Sequence, residues 1–338
     1  MEARAVHDDA IDEDGRSADQ SRGDRFQYDP SNEPEYKPLE AYGMIGDSRT
    51  AVLVGADGSV DWACMPDFDS PSVFGALLDP SAGRFAIRPR DPYTAWQRYE
   101  RGTNVLVTEM STARGTVRIR DFMPYTHRKV PTAEIYRRIE AVRGKVDLEV
   151  IFEPRFEYGQ YEPELVITDN GVKATHESGQ SLVLSSELPM RRVGASARGE
   201  ATLEAGHELY LVSDWGAVNV HRVTSYQCDR RLWQVRTFWR SWVDRLTYHG
   251  RYRDAVERSL LALKLLIYEP TGAIVAAPTT SLPEWHGGGR NWDYRYTWVR
   301  DSAFILRALF HAQYMEEGTA YFDWLLGQAL EGGPLQVM

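Results

Sequence analysis

The sequence predicts a multidomain chain in which a large antiparallel β-sandwich is followed by helices. Short runs rich in β-branched and aromatic residues, separated by turn signals, dominate about residues 40–222. The spacing of apolar residues then changes from two to three or four, which is the helical period. A length of 338 residues also exceeds what one typical core accommodates. Strands followed by helices argue for separate domains rather than for alternating βαβ units.

These patterns divide the chain into four predicted segments. They are a disordered acidic tail at residues 1–35, a β-sandwich domain at 36–224, a helical linker at 225–272 and a final helical region at 273–338. The tail carries eleven Asp and Glu against four Lys and Arg, a net charge of −7 out of −10 for the whole chain. It has few apolar residues and no periodicity, which is typical of a disordered segment.

Turn residues and alternation mark the strands of the predicted sandwich. Residues 50–64, TAVLVGADGSVDWAC, predict a hairpin in which Asp57 and Gly58 supply the positive φ angles of a tight turn. Strict alternation of apolar and polar residues at 116–120 and at 146–150 indicates strands with one buried face. Turn signals every eight to twelve residues or so favour a large antiparallel sandwich.

Four helices are predicted after residue 225. Apolar residues three or four apart predict the first over residues 232–246 and the second over 253–269. Pro270 and Gly272 end the second helix. The third begins at about Asp301, and the fourth covers roughly residues 319–330.

The composition excludes several classes of function. Outside the tail the net charge is only about −3, so no basic surface is available for nucleic acid. No run of about eighteen apolar residues predicts a membrane span, and the N-terminus lacks the features of a signal peptide. The expected compartment is therefore the cytoplasm. Cys64 and Cys228 form no disulfide framework and are interpreted as buried free thiols.

Neither the glycine run nor the histidines indicate a phosphate or metal site. Residues 287–290, GGGR, lack the Lys-Ser/Thr pair and the strand–loop–helix context of a phosphate loop, so a flexible loop is favoured. The eight histidines contain no HExxH pattern and no close pair. We therefore predict no metal and no cofactor.

Residues 287–304, GGGRNWDYRYTWVRDSAF, contain the strongest candidate for a functional site. Aromatic residues at every second position from 292 to 298 would share one face of an extended segment, with polar residues such as Asp293 and Arg295 on the other. One interpretation is a strand that buries its aromatic face in a core, with Asp301 or Ser302 capping the next helix. The other is a sugar site, because aromatic rings stack on sugar C–H faces while Arg and Asp bond the paired hydroxyls.

The segment SLPEWHGGGRNWDYRYTWVRDSAF resembles the first catalytic-domain motif of glycoside hydrolase family 15, the glucoamylases, glucodextranases and bacterial-type trehalases. PTGAIVAAPTTSLPE and the N-terminal YGMIGDSRTAVLVGADGSVDWACMPDFDSPSVFGALLD are similar to the same enzymes, so the resemblance covers roughly residues 36–338. It implies a sandwich, linker helices and, from residue 273, the first helices of an (α/α)6 barrel. It also implies inverting hydrolysis of terminal α-glucosidic bonds, in trehalose or in α-glucans.

The resemblance also implies roles for individual residues. The subsite for the terminal glucose would contain Tyr294, Trp298, Arg300 and Asp301. Trp298 would lie against the sugar ring, and Arg300 with Asp301 would bind the hydroxyls farthest from the scissile bond. Trp292 and Tyr296 are interpreted as supporting residues.

The sequence leaves the catalytic residues unknown. Inverting hydrolysis needs two carboxyl groups about 6.5 to 9.5 Å apart. The family places both on later barrel loops, the first in a Trp-Glu-hydrophobic-Arg-Gly motif that residues 1–338 lack. The nearby Glu284, Asp293 and Asp301 are not expected to form an acid–base pair. The expectation is a C-terminally truncated barrel, inactive alone, with the catalytic glutamates beyond Met338.

The expected partner is an α-glucoside sugar, without nucleic acid or membrane, and a second chain that supplies the rest of the barrel is a further candidate. An incomplete barrel would expose apolar side chains such as Leu306, Leu309 and Phe310. The alternative function is a non-catalytic sandwich that serves as a folding or interaction module, or one half of a split enzyme. Trehalose and α-glucan both stay open, although AAPTTSLPE and RNWDYRY are slightly more similar to the bacterial trehalases.

Overall fold

The structure is a computed structural model that describes residues 25–32, 36–125, 133–281, 284–285 and 287–330. Within these residues all strands precede the four long helices, which confirms the predicted β-then-α order. Phe26–Tyr28 forms a strand paired with residues 93–95, so it belongs to the sheet and not to the tail predicted for residues 1–35. Residues 1–24 and 33–35 of that predicted tail lie outside the described residues.

The described strands form two sheets in which every pairing is antiparallel. In chain order they are β1 (Phe26–Tyr28), β2 (Tyr42–Gly46), β3 (Ala51–Gly55), β4 (Ser59–Cys64), β5 (Ser72–Phe74), β6 (Arg84–Pro89), β7 (Tyr93–Tyr99), β8 (Leu106–Thr112), β9 (Gly115–Phe122), β10 (Glu134–Glu153), β11 (Glu164–Thr168), β12 (Gly171–Thr175), β13 (Ser181–Ser186), β14 (Met190–Val193), β15 (Ser196–Glu204) and β16 (Glu208–Trp215). The first sheet has the order β1-β7-β8-β9-β10-β16-β13-β12-β11. The second has the order β2-β3-β4-β6-β10-β15-β14, with β5 beside β4.

The long strand β10 belongs to both sheets. Its first half, up to Gly144, pairs with β9 and β16, and its second half pairs with β6 and β15. Side chains from both sheets, such as Ile87 and Ile119, share one hydrophobic core. Two antiparallel sheets that face each other across one core form a sandwich, as the alternating sequence pattern predicts.

The β3–β4 hairpin shows what the predicted turn residues do. Gly58 has a φ of 81°, whereas Asp57 does not adopt a positive φ. The turn is instead longer than two residues, with a bulge that shifts the register between Leu53 and Val54. A Cβ on Gly58 would lie 2.1 Å from the carbonyl oxygen of Ile87, so both the backbone angle and the close approach require glycine here.

An ion pair lies inside the sandwich. Arg137 and Asp121 are both 0% exposed, and Arg137 Nε donates to Asp121 Oδ1 at 2.8 Å. The other guanidinium nitrogens donate to the carbonyl oxygens of Phe85 and Gly58, each at 2.7 Å. Arg137 therefore ties β10 to β9, to β6 and to the β3–β4 turn, and its charge is compensated within the interior.

The four long helices are α1 (Cys228–Val243), α2 (Arg253–Leu265), α3 (Val299–His311) and α4 (Met315–Leu330). All four lie where the apolar spacing predicts a helix, but α3 begins two residues and α4 four residues before the predicted start. The second helix ends at Leu265, before Pro270, and Gly272 has a φ of 84° in the turn that follows. Helix boundaries are the part that apolar spacing alone defines least well.

The helices pack on the outer face of the first sheet. Successive residues of a strand point to opposite faces, so Ile135 lies in the sandwich core while Tyr136 belongs to a second core shared with α1. Leu232 and Trp239 of α1 are buried in this second core. Arg236 adds two hydrogen bonds of 2.6 Å to Glu100, which follows β7. Both apolar and charged contacts therefore fix the helices to the sandwich.

The exposed apolar surface of α3 and α4 differs from the prediction. Leu306 and Leu309 are buried in the second core, and Phe310 packs against it. The exposed large apolar side chains are Val299 and Phe304 on α3 and Met315, Phe322, Leu326 and Leu330 on α4. The sequence pattern correctly identified the apolar face that contains Leu306 and Leu309, but this face is buried in the second core. The exposed apolar side chains lie on other faces of the two helices.

Cys64 and Cys228 are buried free thiols, as predicted. Among the helices that the structure describes, none is long and apolar enough to cross a membrane.

Candidate functional site

The aromatic segment forms one side of an irregular hairpin rather than a regular strand. Residues 276–281 run antiparallel to residues 292–296, with backbone hydrogen bonds from Ala277 N to Tyr294 O at 2.9 Å and from Ser281 N to Trp292 O at 2.8 Å. Trp62 of β4 donates its indole N–H to Pro278 O at 2.8 Å. The hairpin therefore lies against the sandwich, directly before α3.

The burial pattern of this segment is the reverse of the core-strand interpretation. Trp292 and Tyr296 are exposed, whereas Arg295, which lies between aromatic residues in sequence, is only 5% exposed. An aromatic face buried in a core is therefore wrong for this segment. The polar side holds it to the sandwich, and the aromatic side is largely open.

Three aromatic rings of the segment contact each other. The Trp298 ring centroid lies 5.1 Å from that of Tyr294, and 6.1 Å from that of Trp292 in an edge-to-face arrangement. Trp298 Nε1 donates to Asp293 O at 2.9 Å, which fixes the orientation of the indole. Both Trp298 and Tyr294 are half-buried, so each keeps part of its surface available.

Helix α3 begins directly at this aromatic cluster. Trp298 is its N-cap residue, with φ −102° and ψ 119°, so Asp301 and Ser302 do not cap the helix as the core-strand interpretation predicts. Arg300 and Asp301 instead lie in the first turn of the helix. A carboxylate in the first turn is favoured by the helix dipole and by the free backbone N–H groups.

Arg300 and Asp301 form an open polar pair. Arg300 Nη2 lies 3.4 Å from Asp301 Oδ2, and their side chains are 68% and 31% exposed. The guanidinium carbon of Arg300 lies 6.0 Å from the Trp298 ring centroid. Asp301 Oδ2 and Ser302 Oγ are buried atoms that make no hydrogen bond to any described residue. The exposed parts of the pair, chiefly the Arg300 side chain, can still bond a ligand.

The structure brings all four predicted site residues together. Tyr294 contacts Trp298, Trp298 lies beside Arg300, and Arg300 pairs with Asp301. Their arrangement offers an apolar ring face next to a guanidinium fork and a carboxylate. This combination can hold a polyhydroxylated ring that has one apolar face.

Sequence reasoning missed the partners of two acidic residues near the site. Asp293 forms a two-pronged ion pair with Arg295, with nitrogen–oxygen distances of 3.0 and 2.8 Å. Glu284 lies 3.5 Å from Arg290 in an exposed pair. The WDYR spacing, with a carboxylate and a guanidinium two residues apart, is the signal that could have indicated the first pair. In the described residues, no three His, Cys, Asp or Glu side chains are grouped so that they could hold a metal.

Comparison with known proteins places these features in a family. A family model described as "Trehalase-like, N-terminal" matches residues 33–209, and one described as "Glycosyl hydrolases family 15" matches residues 250–333. A trehalase of Thermoplasma volcanium is 39% identical over 291 residues, which cover 85% of this chain and 46% of that protein. A trehalase of Mycolicibacterium smegmatis is 33% identical over 338 residues, with coverage of 91% and 50%.

Trehalase 1 of Sulfolobus acidocaldarius is 35% identical over 297 residues, which cover 86% of this chain and 48% of that protein. The chain thus spans about half the length of the curated relatives it matches. The first family model matches more than half of the chain and covers most of the sandwich, and the second covers the candidate site. The chain therefore belongs to glycosyl hydrolase family 15 and carries a trehalase-like N-terminal region.

Proposed function

We propose that this chain binds the terminal glucose of an α-glucoside and that it contributes this site to the hydrolysis of trehalose. The observation that carries the proposal is the open Arg300–Asp301 pair beside the half-buried Trp298 ring. The apolar face of a pyranose ring would lie against Trp298. The guanidinium would donate to two neighbouring hydroxyls, and the Asp301 carboxylate would accept from them.

Trehalose is favoured over α-glucans as the substrate. The relatives that match over most of this chain are all named trehalases. The non-catalytic sandwich module is not favoured, because the match extends beyond the sandwich into the family 15 region that holds the site. The residues that would contact the second sugar of the disaccharide are not assigned.

The general acid and base are proposed to come from outside these 338 residues. The nearby Asp293 and Glu284 are each engaged with an arginine, and Asp301 is assigned to sugar binding. The Trp-Glu-hydrophobic-Arg-Gly motif expected by family resemblance does not occur in residues 1–338. We therefore propose that α3 and α4 belong to an (α/α)6 barrel whose other helices carry both glutamates, in the same polypeptide or in a second chain.

The exposed apolar side chains of α3 and α4 support this assignment. Phe304, Phe322, Leu326 and Leu330 are each exposed, and exposed apolar side chains on helices can pack against further helices. Residues 225–272 would be the linker and residues 273–338 the start of the barrel, as the sequence predicts. The site itself then lies at the junction of sandwich and barrel.

Sugar binding can be tested by tryptophan fluorescence of the 338-residue chain titrated with trehalose and with glucose. We expect saturable quenching that is lost in Trp298→Ala and Arg300→Ala. The matched control is Trp233→Ala, because Trp233 is an exposed tryptophan on α1 and is not part of the site. Equal binding by wild type and Arg300→Ala would contradict the proposed site.

Turnover is tested separately by glucose release from trehalose. The 338-residue chain alone is expected to release none, because the acid and base are supplied elsewhere. Addition of a polypeptide that carries the missing family motif is expected to restore glucose release. Release by the purified chain alone would overturn the assignment of the catalytic groups while leaving the binding site untouched.

A further inference from the structure

We propose that Arg295 is the positioning residue of the sugar site, holding the Trp298 indole in place through Asp293 while it anchors the segment to the β-sandwich. The inference deepens the proposed function, on which its sugar-binding readout rests. It assigns to the sandwich a part in setting the geometry of the site, which lies beyond the sandwich in sequence.

The first half of the link runs from Arg295 to the indole. Arg295 donates to both carboxylate oxygens of Asp293, and its backbone N–H donates to Asp293 Oδ1 at 2.9 Å. Three hydrogen bonds therefore fix Asp293. The carbonyl oxygen of the same residue accepts the Trp298 indole N–H at 2.9 Å. A displacement of Asp293 therefore moves the acceptor that orients the sugar-stacking ring.

The second half runs from Arg295 to the sandwich. Its Nη1 donates to Ser70 O at 2.7 Å, and Phe68 O and Cys64 Sγ each lie 3.3 Å from the same nitrogen. Its Nη2 donates to Tyr158 Oη at 2.8 Å. These acceptors come from the end of β4, the loop after it and the turn that follows β10, so Arg295 joins three separate parts of the sandwich.

The turn that presents Tyr158 has an unusual backbone. Glu157 and Tyr158 have φ angles of 51° and 60°, two successive non-glycine residues in the left-handed region. Each such conformation is strained for a non-glycine residue and persists only where the surroundings hold it. The result places the Tyr158 hydroxyl where the guanidinium meets it, which is the arrangement a positioning contact requires.

Arginine is the side chain that this position needs. Its planar fork satisfies a carboxylate with two parallel bonds and still has donors left for the sandwich carbonyls. Lysine would keep the charge but could not make both sets of contacts. Arg295→Lys therefore removes part of these hydrogen bonds, and Asp293→Asn removes the charged two-pronged pair. Both substitutions change the side-chain volume only slightly.

The experiment combines trehalose titration with 19F NMR of the full chain labelled with 5-fluorotryptophan. The Trp298 signal is assigned by its loss in Trp298→Phe. We expect Arg295→Lys to shift or broaden the Trp298 signal and to weaken trehalose binding about tenfold or more, the factor for one lost hydrogen bond of about 1.4 kcal/mol. The matched control is Arg137→Lys, a buried arginine with no contact to the segment, which should change neither.

The proposal is overturned if Arg295→Lys lowers stability as Arg137→Lys does but leaves both the Trp298 signal and the affinity unchanged. Should wild type bind no trehalose, the proposed function fails, and the 19F shift alone decides the positioning role. Should Arg295→Lys not fold, Asp293→Asn, whose side chain is 28% exposed, decides by the same readouts.

Discussion

Two Arg–Asp pairs in this molecule have opposite environments. Arg137 and Asp121 lie inside the sandwich with no exposure, 2.8 Å apart, and the arginine also bonds two backbone carbonyls. Arg300 and Asp301 lie at the start of α3, are partly exposed and are 3.4 Å apart. The first pair therefore has its hydrogen bonds supplied by the sandwich interior. The second pair is partly exposed and can bond a ligand.

The difference shows how to tell a structural pair from a ligand site. A buried charge is tolerated only when its partners are supplied by the protein. An exposed pair contributes little to stability, because water solvates both groups. The largest effect of a mutation should therefore appear as unfolding at the first pair and as lost binding at the second.

The largest effect is expected for Arg137→Met. The change leaves the Asp121 carboxylate buried without its cation, which costs about 3 to 5 kcal/mol. Urea unfolding followed by circular dichroism measures the free energy of unfolding. A loss below about 1 kcal/mol would mean that the interior pair is not the structural tie described above.

A buried carboxylate with a raised pKa sharpens the comparison. Burial raises the pKa of Asp47 to about 6, although the N–H groups of Thr50 and Arg49 oppose this. Between about pH 4 and pH 6 the folded protein keeps a proton that the unfolded chain loses, so this group lowers stability as pH rises through that window. Above about pH 6 the folded protein stays less stable by the full amount that the buried Asp47 charge costs.

Asp47→Asn should remove that deficit. The amide oxygen can still accept from both N–H groups, and no charge is buried. We expect the variant to match wild type near pH 3.5 and to become about 2 to 3 kcal/mol more stable by pH 7. Urea unfolding across this pH range measures the difference, and an unchanged or lower stability at pH 7 would contradict the assigned cause.

At the open pair, Asp301→Asn is expected to weaken trehalose binding about tenfold or more, since it removes a charged acceptor. The free energy of unfolding should stay within about 0.5 to 1 kcal/mol of wild type. Calorimetric titration and urea unfolding of the same preparations separate the two quantities. A large loss of stability with unchanged affinity would assign this pair to the structural class.

The smallest effect is expected for Arg90→Ala. Arg90 pairs with Glu200 at 2.9 Å across the second sheet, but both side chains are about half exposed. The change should cost less than about 1 kcal/mol in unfolding and leave sugar binding unchanged. A cost near that of Arg137→Met would show that exposure does not separate the pairs.

The spacing of apolar residues in the sequence predicted the strands and helices, because these elements depend mainly on residues that are near each other in the chain. Alternation at residues 116–120 places Val117 and Ile119 in the sandwich core, and the spacing of Leu232, Val235 and Trp239 gives helix α1. The adjacency of Trp298, Arg300 and Asp301 was also readable, because these residues are close in sequence.

The rest depends on contacts between distant parts of the chain. The period-two pattern at 292–298 predicts a strand, but the sandwich holds this segment by Arg295, whose acceptors Ser70 and Tyr158 are 225 and 137 positions away. No pattern within the segment contains those acceptors. Similarly, the predicted tail overlooked β1, because this three-residue strand depends on pairing with β7 and on packing of Phe26 and Tyr28 against the sandwich core.

The most direct test of the account is a crystal structure of the chain grown with trehalose. We predict that one glucose ring lies against Trp298 and that its neighbouring hydroxyls are bonded by Arg300 and Asp301, with the Arg137–Asp121 pair unchanged. A sugar bound elsewhere on the molecule, with Arg300 and Asp301 free of it, would contradict the account.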